Sequence, residues 1–189
     1  MGVRFLYKIA FWMVLICFAS ITLYFAYIGV QKMVYPLKFQ EDVNYYSKLY
    51  ELDKGLVYSV IKVESDFVEN AVSSKGAKGL MQITDKTASY IADLKNDSSF
   101  DMFNANQNIE YGCYYLRYLI DKFFDIETVL CAYNAGEGKV RSWLKDSKYS
   151  SDGITLDYIE YTETREYVNK IKNSLIKYKK LYGNLLDKR

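Results

Sequence analysis

Glu64 is the residue in this chain best placed to do acid–base chemistry. It follows Val57, Val60 and Ile61 at helical spacing, so its carboxylate falls on the apolar stripe of its own helix. A carboxyl group in such surroundings is partly desolvated. Desolvation disfavours the charged form, raises the pKa and suits the group to act as a general acid. Spacing alone leaves other readings open: a glutamate tied into a structural network, or one turning out to solvent at the helix end. Asp66 lies two residues on and points to a different side of a helix, so it is not expected to be a second catalyst.

The rest of the composition narrows the chemistry. The 189 residues include no histidine. Ser-His-Asp hydrolases, Cys-His peptidases and HExxH zinc enzymes all need an imidazole as base or ligand, and are excluded. What remains is carboxylate chemistry with Tyr, Lys or Ser in support, and no metal or cofactor is expected. Cys17, Cys113 and Cys131 form no metal-ligand spacing. Cys113 and Cys131 are open to two readings, a disulfide in an oxidising space or buried free thiols. The net charge is +2, but Arg4, Lys8 and Lys32 lie in or beside the N-terminal apolar segment; from Leu37 onward 22 basic residues face 23 acidic ones. No basic stripe marks a nucleic-acid binder.

The elements that must carry Glu64 read as helices. Apolar spacing predicts a helix over Glu41 to Leu52, then one capped by Asp53 and running to Glu64. Ser73 to Gly79 reads as a loop, and Thr84 or Asp85 as the start of a short helix through Tyr90. Asn106 to Phe124 is a longer helix with Ile109, Cys113, Leu116 and Ile120 along one face. Further helices are expected over Glu127 to Ala135, Lys139 to Leu144 and Glu163 to Leu181. The expected architecture is one all-α domain, residues 37–189, on an N-terminal stalk, residues 1–36.

Within the stalk, Ile9 to Val30 is a run of 22 residues without a charge. As a helix it would reach roughly 33 Å, enough to cross a bilayer hydrocarbon core of about 30 Å. Aromatics gather toward both ends, as at bilayer interfaces. The run is longer than the apolar region of a cleaved signal peptide and no Ala-x-Ala site follows, so an uncleaved signal anchor in the cytoplasmic membrane is expected. Basic residues on both flanks favour a cytoplasmic N-terminus only slightly.

Beyond Glu64, three further blocks fall in order: Ser73-Ser74-Lys75-Gly76-Ala77-Lys78-Gly79-Leu80-Met81-Gln82, Ala132-Tyr133-Asn134-Ala135-Gly136, and Glu163-Thr164-Arg165-Glu166-Tyr167-Val168. With Glu64-Ser65-Asp66-Phe67 they resemble the soluble-type (SLT) lytic transglycosylase domain of glycoside hydrolase family 23, over about Tyr45 to Tyr182. The resemblance implies a lysozyme-like helical domain whose groove binds peptidoglycan glycan strands of alternating N-acetylglucosamine and N-acetylmuramic acid. It implies cleavage of the β-1,4 bond between the muramic and glucosamine units with formation of 1,6-anhydro ends. Glu64 then matches the catalytic acid. Ser73, Gln82, Tyr133 and Asn134 match groove positions around the cleaved bond, and Glu163 and Tyr167 match the closing block. Core packing is the plainer reading of Tyr133 and Met81, and Gly76 and Gly79 read as backbone geometry alone. The sequence departs from the family where prolines are common, with Glu69 and Asn70 after the Glu-Ser pair and Thr84-Asp85 after Gln82. A hydrolytic muramidase of the same fold and an inactive glycan-binding module remain alternatives. A wall substrate would place the domain outside the membrane, with the N-terminus inside.

Overall fold

A computed structural model describes residues 2–97 and 99–186, with the side chains of Val3 and Asn184 outside the described set. Residues 187–189, the end of the expected second domain, lie outside it too. Eight helices are assigned among the described residues: α1 (Gly2–Val34), α2 (Gln40–Leu49), α3 (Lys54–Ser65), α4 (Asp85–Lys95), α5 (Ala105–Lys122), α6 (Ile126–Ala135), α7 (Glu137–Leu144) and α8 (Thr162–Leu186). By its contacts the chain divides into two units, Met1–Pro36 and Leu37–Arg189.

The first unit is a single helix. Its segment Arg4–Val34 is long and apolar enough to cross a membrane, with a mean hydropathy of 2.2 and none of the most apolar stretch covered by protein. Ser20 and Thr22 return their hydroxyls to the carbonyls of Ile16 and Ala19, which satisfies both groups within the helix.

In the second unit α3 and α6 are central. Every residue of α3 from Gly55 to Ile61 is buried, as is every residue of α6 from Thr128 to Ala132. Helices covered on all sides lose the one-sided pattern of a surface helix. α3 packs on α8 and α2, α6 on α8, α7 and α5, and α5 on α2 and α4. Helix starts follow the cap chemistry: Asp53, Thr84, Asn104 and Asp125 each accept a backbone N–H three residues ahead.

Most expected boundaries hold within a few residues. α2 stops three residues short of Leu52, because Glu51 takes a left-handed φ of 52°. α4 continues past Tyr90 to Lys95, because Ile91 and Ala92 extend its buried face until Asn96 ends it in a left-handed turn. Between α3 and α4 the loop holds only isolated antiparallel bridges, Val72 with Lys78 and Lys78 with Ile83. Cys113 and Cys131 are buried free thiols, which resolves the two readings against a disulfide.

Candidate active site

Glu64 is the penultimate residue of α3 and is half-buried. Its Oε1 accepts a hydrogen bond of 2.7 Å from the hydroxyl of Tyr167 on α8. Tyr167 is itself only 6% exposed, so packing fixes the donor. Burial pushes the Glu64 carboxyl up to about 7, while the Tyr167 bond pulls it the other way. Desolvation wins, and near neutral pH a large share of Glu64 carries the proton. No other carboxylate contributes to this shift. Asp66 is turned away: it ends α3 in the left-handed region, is largely exposed and pairs with Lys62 one turn back.

The chain breaks sharply after Ser65. Asp66 and Phe67 adopt φ of 51° and 63° in succession. Consecutive non-glycine residues in this region are uncommon and are held only where packing over-determines them. Here the buried Phe67 ring against Tyr58 of α3 supplies that packing. The break sends the backbone into the 68–83 loop, whose last turn comes back alongside α3: the Ser65 hydroxyl donates to the Leu80 carbonyl at 2.8 Å.

The other expected site residues divide by what they bind. Tyr133 on α6 donates from its hydroxyl to the Met81 carbonyl at 2.8 Å. Burial and then the Glu64 charge raise its pKa well above the ordinary phenol value, so it lies within the field of the carboxylate and stays protonated. Asn134, next on α6, accepts at 2.8 Å from the buried Thr164 of α8 through its Oδ1. Ser73 and Gln82 act within the loop. Ser73 Oγ accepts from the Ala77 N–H at 3.0 Å. Gln82, itself at φ 51°, donates through Nε2 to the carbonyls of Gly79 at 2.8 Å and Ala71 at 3.1 Å. Glu163, at the start of α8 and one helical turn before Tyr167, is exposed and pairs with Lys75 of the loop at 2.9 Å. Of the expected set, Tyr167 alone has a hydrogen bond to Glu64 in the structure.

Sequence reasoning missed Asn108. It is fully buried on α5, accepts the Met81 N–H at 2.7 Å, and donates to the carbonyls of Lys78 at 2.9 Å and Met102 at 2.8 Å. Its signal was an amide beside Ile109 on the apolar face. Gly79 and Gly112 frame the same turn. A Cβ on Gly79 would lie 2.2 Å from Asn108 Nδ2, and one on Gly112 2.3 Å from Met81 Sδ.

A family model described as the transglycosylase SLT domain matches residues 41–154, more than half of the chain. The chain belongs to the SLT transglycosylase domain family. It is 29% identical over 143 residues to a soluble lytic murein transglycosylase of Escherichia coli (strain K12), a match that takes in 72% of this chain and 22% of that one. It is 32% identical over 120 residues to membrane-bound lytic murein transglycosylase C of Actinobacillus pleuropneumoniae serotype 5b (strain L20), across 56% of this chain and 32% of the relative. A solved lytic transglycosylase from Pseudomonas aeruginosa, an inactive glutamate-to-glutamine mutant, superposes with a TM-score of 0.66 at 27% identity, over 78% of this chain and 25% of that one. The chain therefore spans about a fifth to a third of the lengths of these relatives. The fold is the all-α, lysozyme-like SLT fold that its motifs imply. The closing block with Tyr167 lies beyond the residues that the family model matches.

Proposed function

We propose that this chain is a peptidoglycan lytic transglycosylase, cleaving the bond between N-acetylmuramic acid and N-acetylglucosamine with Glu64 as both acid and base. The observation that carries the reading is a lone carboxyl group held near neutral pKa by burial and oriented by Tyr167. Retaining and inverting glycosidases generally place a second carboxyl within about 5–10 Å of the first. Burial and the Tyr167 hydroxyl account for the Glu64 shift, with no second carboxyl among its causes. Membership of the SLT family and the lytic transglycosylases among its relatives supply the substrate class.

In the proposed reaction, protonated Glu64 donates to the glycosidic oxygen, and the bond from that oxygen to the muramic anomeric carbon breaks. The 2-acetamido oxygen of the same sugar stabilises the cationic carbon. Glu64, now a carboxylate, takes the proton of the muramic 6-hydroxyl as its oxygen bonds to the anomeric carbon. The proton count closes on Glu64, with no water consumed. An intramolecular nucleophile held beside the reacting carbon contributes up to roughly 7–11 kcal/mol of barrier through proximity. Ser73, Gln82, Tyr133, Asn134 and Glu163 are proposed to line the groove, with Ser73 and Gln82 also shaping the loop that forms one wall.

The domain is proposed to lie outside the cytoplasmic membrane, anchored through residues 9–30, which holds the enzyme close to its insoluble substrate. The reading is tested by digesting purified peptidoglycan with the full-length protein in detergent and analysing the ends by mass. The expected ends are lighter by one water than hydrolytic ends and resist borohydride. Reducible ends would make the protein a muramidase, and intact glycan would remove the enzymatic reading.

A further inference from the structure

The backbone of Leu80 and Met81 is held by side chains from three helices. Ser65, next in sequence to Glu64, donates to the Leu80 carbonyl at 2.8 Å. Asn108 of α5 accepts the Met81 N–H at 2.7 Å, and Tyr133 of α6 donates to the Met81 carbonyl at 2.8 Å. Two adjacent residues thus have three backbone polar groups satisfied by side chains from α3, α5 and α6. Ser65 has a second acceptor, the Ile61 carbonyl one turn back, at 3.2 Å. The single hydroxyl proton favours the shorter bond, which leaves the α3 helix to reach the loop.

We infer that Ser65 and Asn108 are positioning residues for the reaction, holding the Leu80–Met81 backbone to the end of α3 that carries Glu64 and so keeping the carboxyl shielded from water. The inference rests on the proposed lytic activity and deepens it. Neither side chain needs to touch substrate. Asn108 is fully buried, and Ser65 is committed to the loop. Their effect reaches Glu64 along two paths. One runs through the peptide joining Glu64 to Ser65, directly before the left-handed break at Asp66 and Phe67. The other runs through Met81 to Tyr133, whose phenol senses the Glu64 charge. The titratable groups that interact with Glu64 are Tyr167 from α8 and Tyr133 from α6; Ser65 and Asn108 are uncharged. A change in Glu64 acidity on altering Ser65 or Asn108 therefore reports a change in hydration or orientation, not the loss of a charge.

The test uses full-length protein in detergent on purified peptidoglycan, comparing wild type, Ser65→Ala and Ser65→Thr. The wild type serves as the control: no anhydro products from it would defeat the functional reading itself. Given an active wild type, Ser65→Ala should lower kcat about tenfold with KM changed by less than about twofold. Its alkaline limb should move to lower pH, as water reaching Glu64 returns the carboxyl toward its ordinary acidity. Ser65→Thr keeps the hydroxyl and should restore both kcat and the limb. Wild-type kcat and pH profile in Ser65→Ala would overturn the inference. So would a fall in kcat with an unmoved limb that Thr fails to rescue, which marks a merely structural role, and so would a change confined to KM, which marks a substrate contact. Asn108→Ala removes three hydrogen bonds, two of them buried, and serves as the second variant. If it folds it should show the same kcat loss and limb shift, and a folded variant with a wild-type profile would overturn the assignment of Asn108.

Discussion

At the scale of single residues, the opposing effects on Glu64 make three measurements informative. Glu64→Gln keeps a carbonyl oxygen to accept the Tyr167 hydroxyl but has no proton to donate as an acid. Activity should fall at least about 10²-fold, with the helical content unchanged by circular dichroism; wild-type turnover in the folded variant would remove Glu64 from the mechanism. Tyr167→Phe deletes the one hydrogen bond that favours the ionised form. The Glu64 pKa should rise further, so the alkaline limb of kcat/KM, expected near 7 in the wild type, should move to higher pH while the rate falls through lost orientation. A limb moving down would contradict the assignment. The same shift makes a stability prediction. The folded pKa is raised above the ordinary 4.5 to about 7, so between those values the folded state holds a proton that the unfolded chain releases. Stability from this group is present below about 4.5 and is lost as pH rises through about 7. Thermal melts of wild type and Glu64→Gln at about pH 4 and about pH 8 should show the variant gaining on the wild type at the higher pH. The difference should be no more than about 3 kcal/mol, reduced by the part of the carboxylate open to water.

At the scale of elements, Glu64 was legible because a charged letter interrupts an apolar stripe, and helix starts were legible because Asp53 and Thr84 are cap residues. Tyr167 could be paired with Glu64 only through a resemblance. The two stand 103 residues apart, and no local pattern encodes the packing of α8 on α3 that joins them. Asn108 was illegible for a related reason: its partners are backbone groups, two of them in a loop about 30 residues away, and backbone atoms leave no trace in letters. Ser73 and Gln82 show the converse. Their positions in a motif mark them as groove residues, yet their hydrogen bonds here are to the loop itself. Gly79 and Gly112 register the tightness of this region. Gly79→Ala demands a left-handed alanine at φ 76° and drives its Cβ to 2.3 Å from the backbone carbonyl of Met102. It should destabilise the protein by about 2 kcal/mol or more, read as a lowered midpoint in denaturant. Gly76→Ala is the contrast. Gly76 has a similar φ of 78° but open space around it, so its cost is conformational strain alone, about 1 kcal/mol. Equal losses at the two positions would show that the close contact with Asn108 and Met102 is unimportant.

At the scale of the whole molecule, an apolar helix and a helical SLT domain make up the chain. Charge on the flanks of the helix decides its direction poorly, because Arg4 and Lys8 are balanced by Lys32 and Lys38. A wall substrate would set it. If glycan strands are the substrate, protease added to intact protoplasts should remove the domain and leave a membrane-embedded fragment. Degradation only after lysis would defeat the orientation and the substrate together. In the proposed reaction one carboxyl group acts twice, and the nucleophile belongs to the sugar. Digestion of purified peptidoglycan in heavy-oxygen water tests it directly. Hydrolysis must place one solvent oxygen on the anomeric carbon of each new end, whereas attack by the muramic 6-hydroxyl places none. New ends should be free of solvent oxygen and should form at a rate that collapses in Glu64→Gln. One labelled oxygen per cleavage would contradict it.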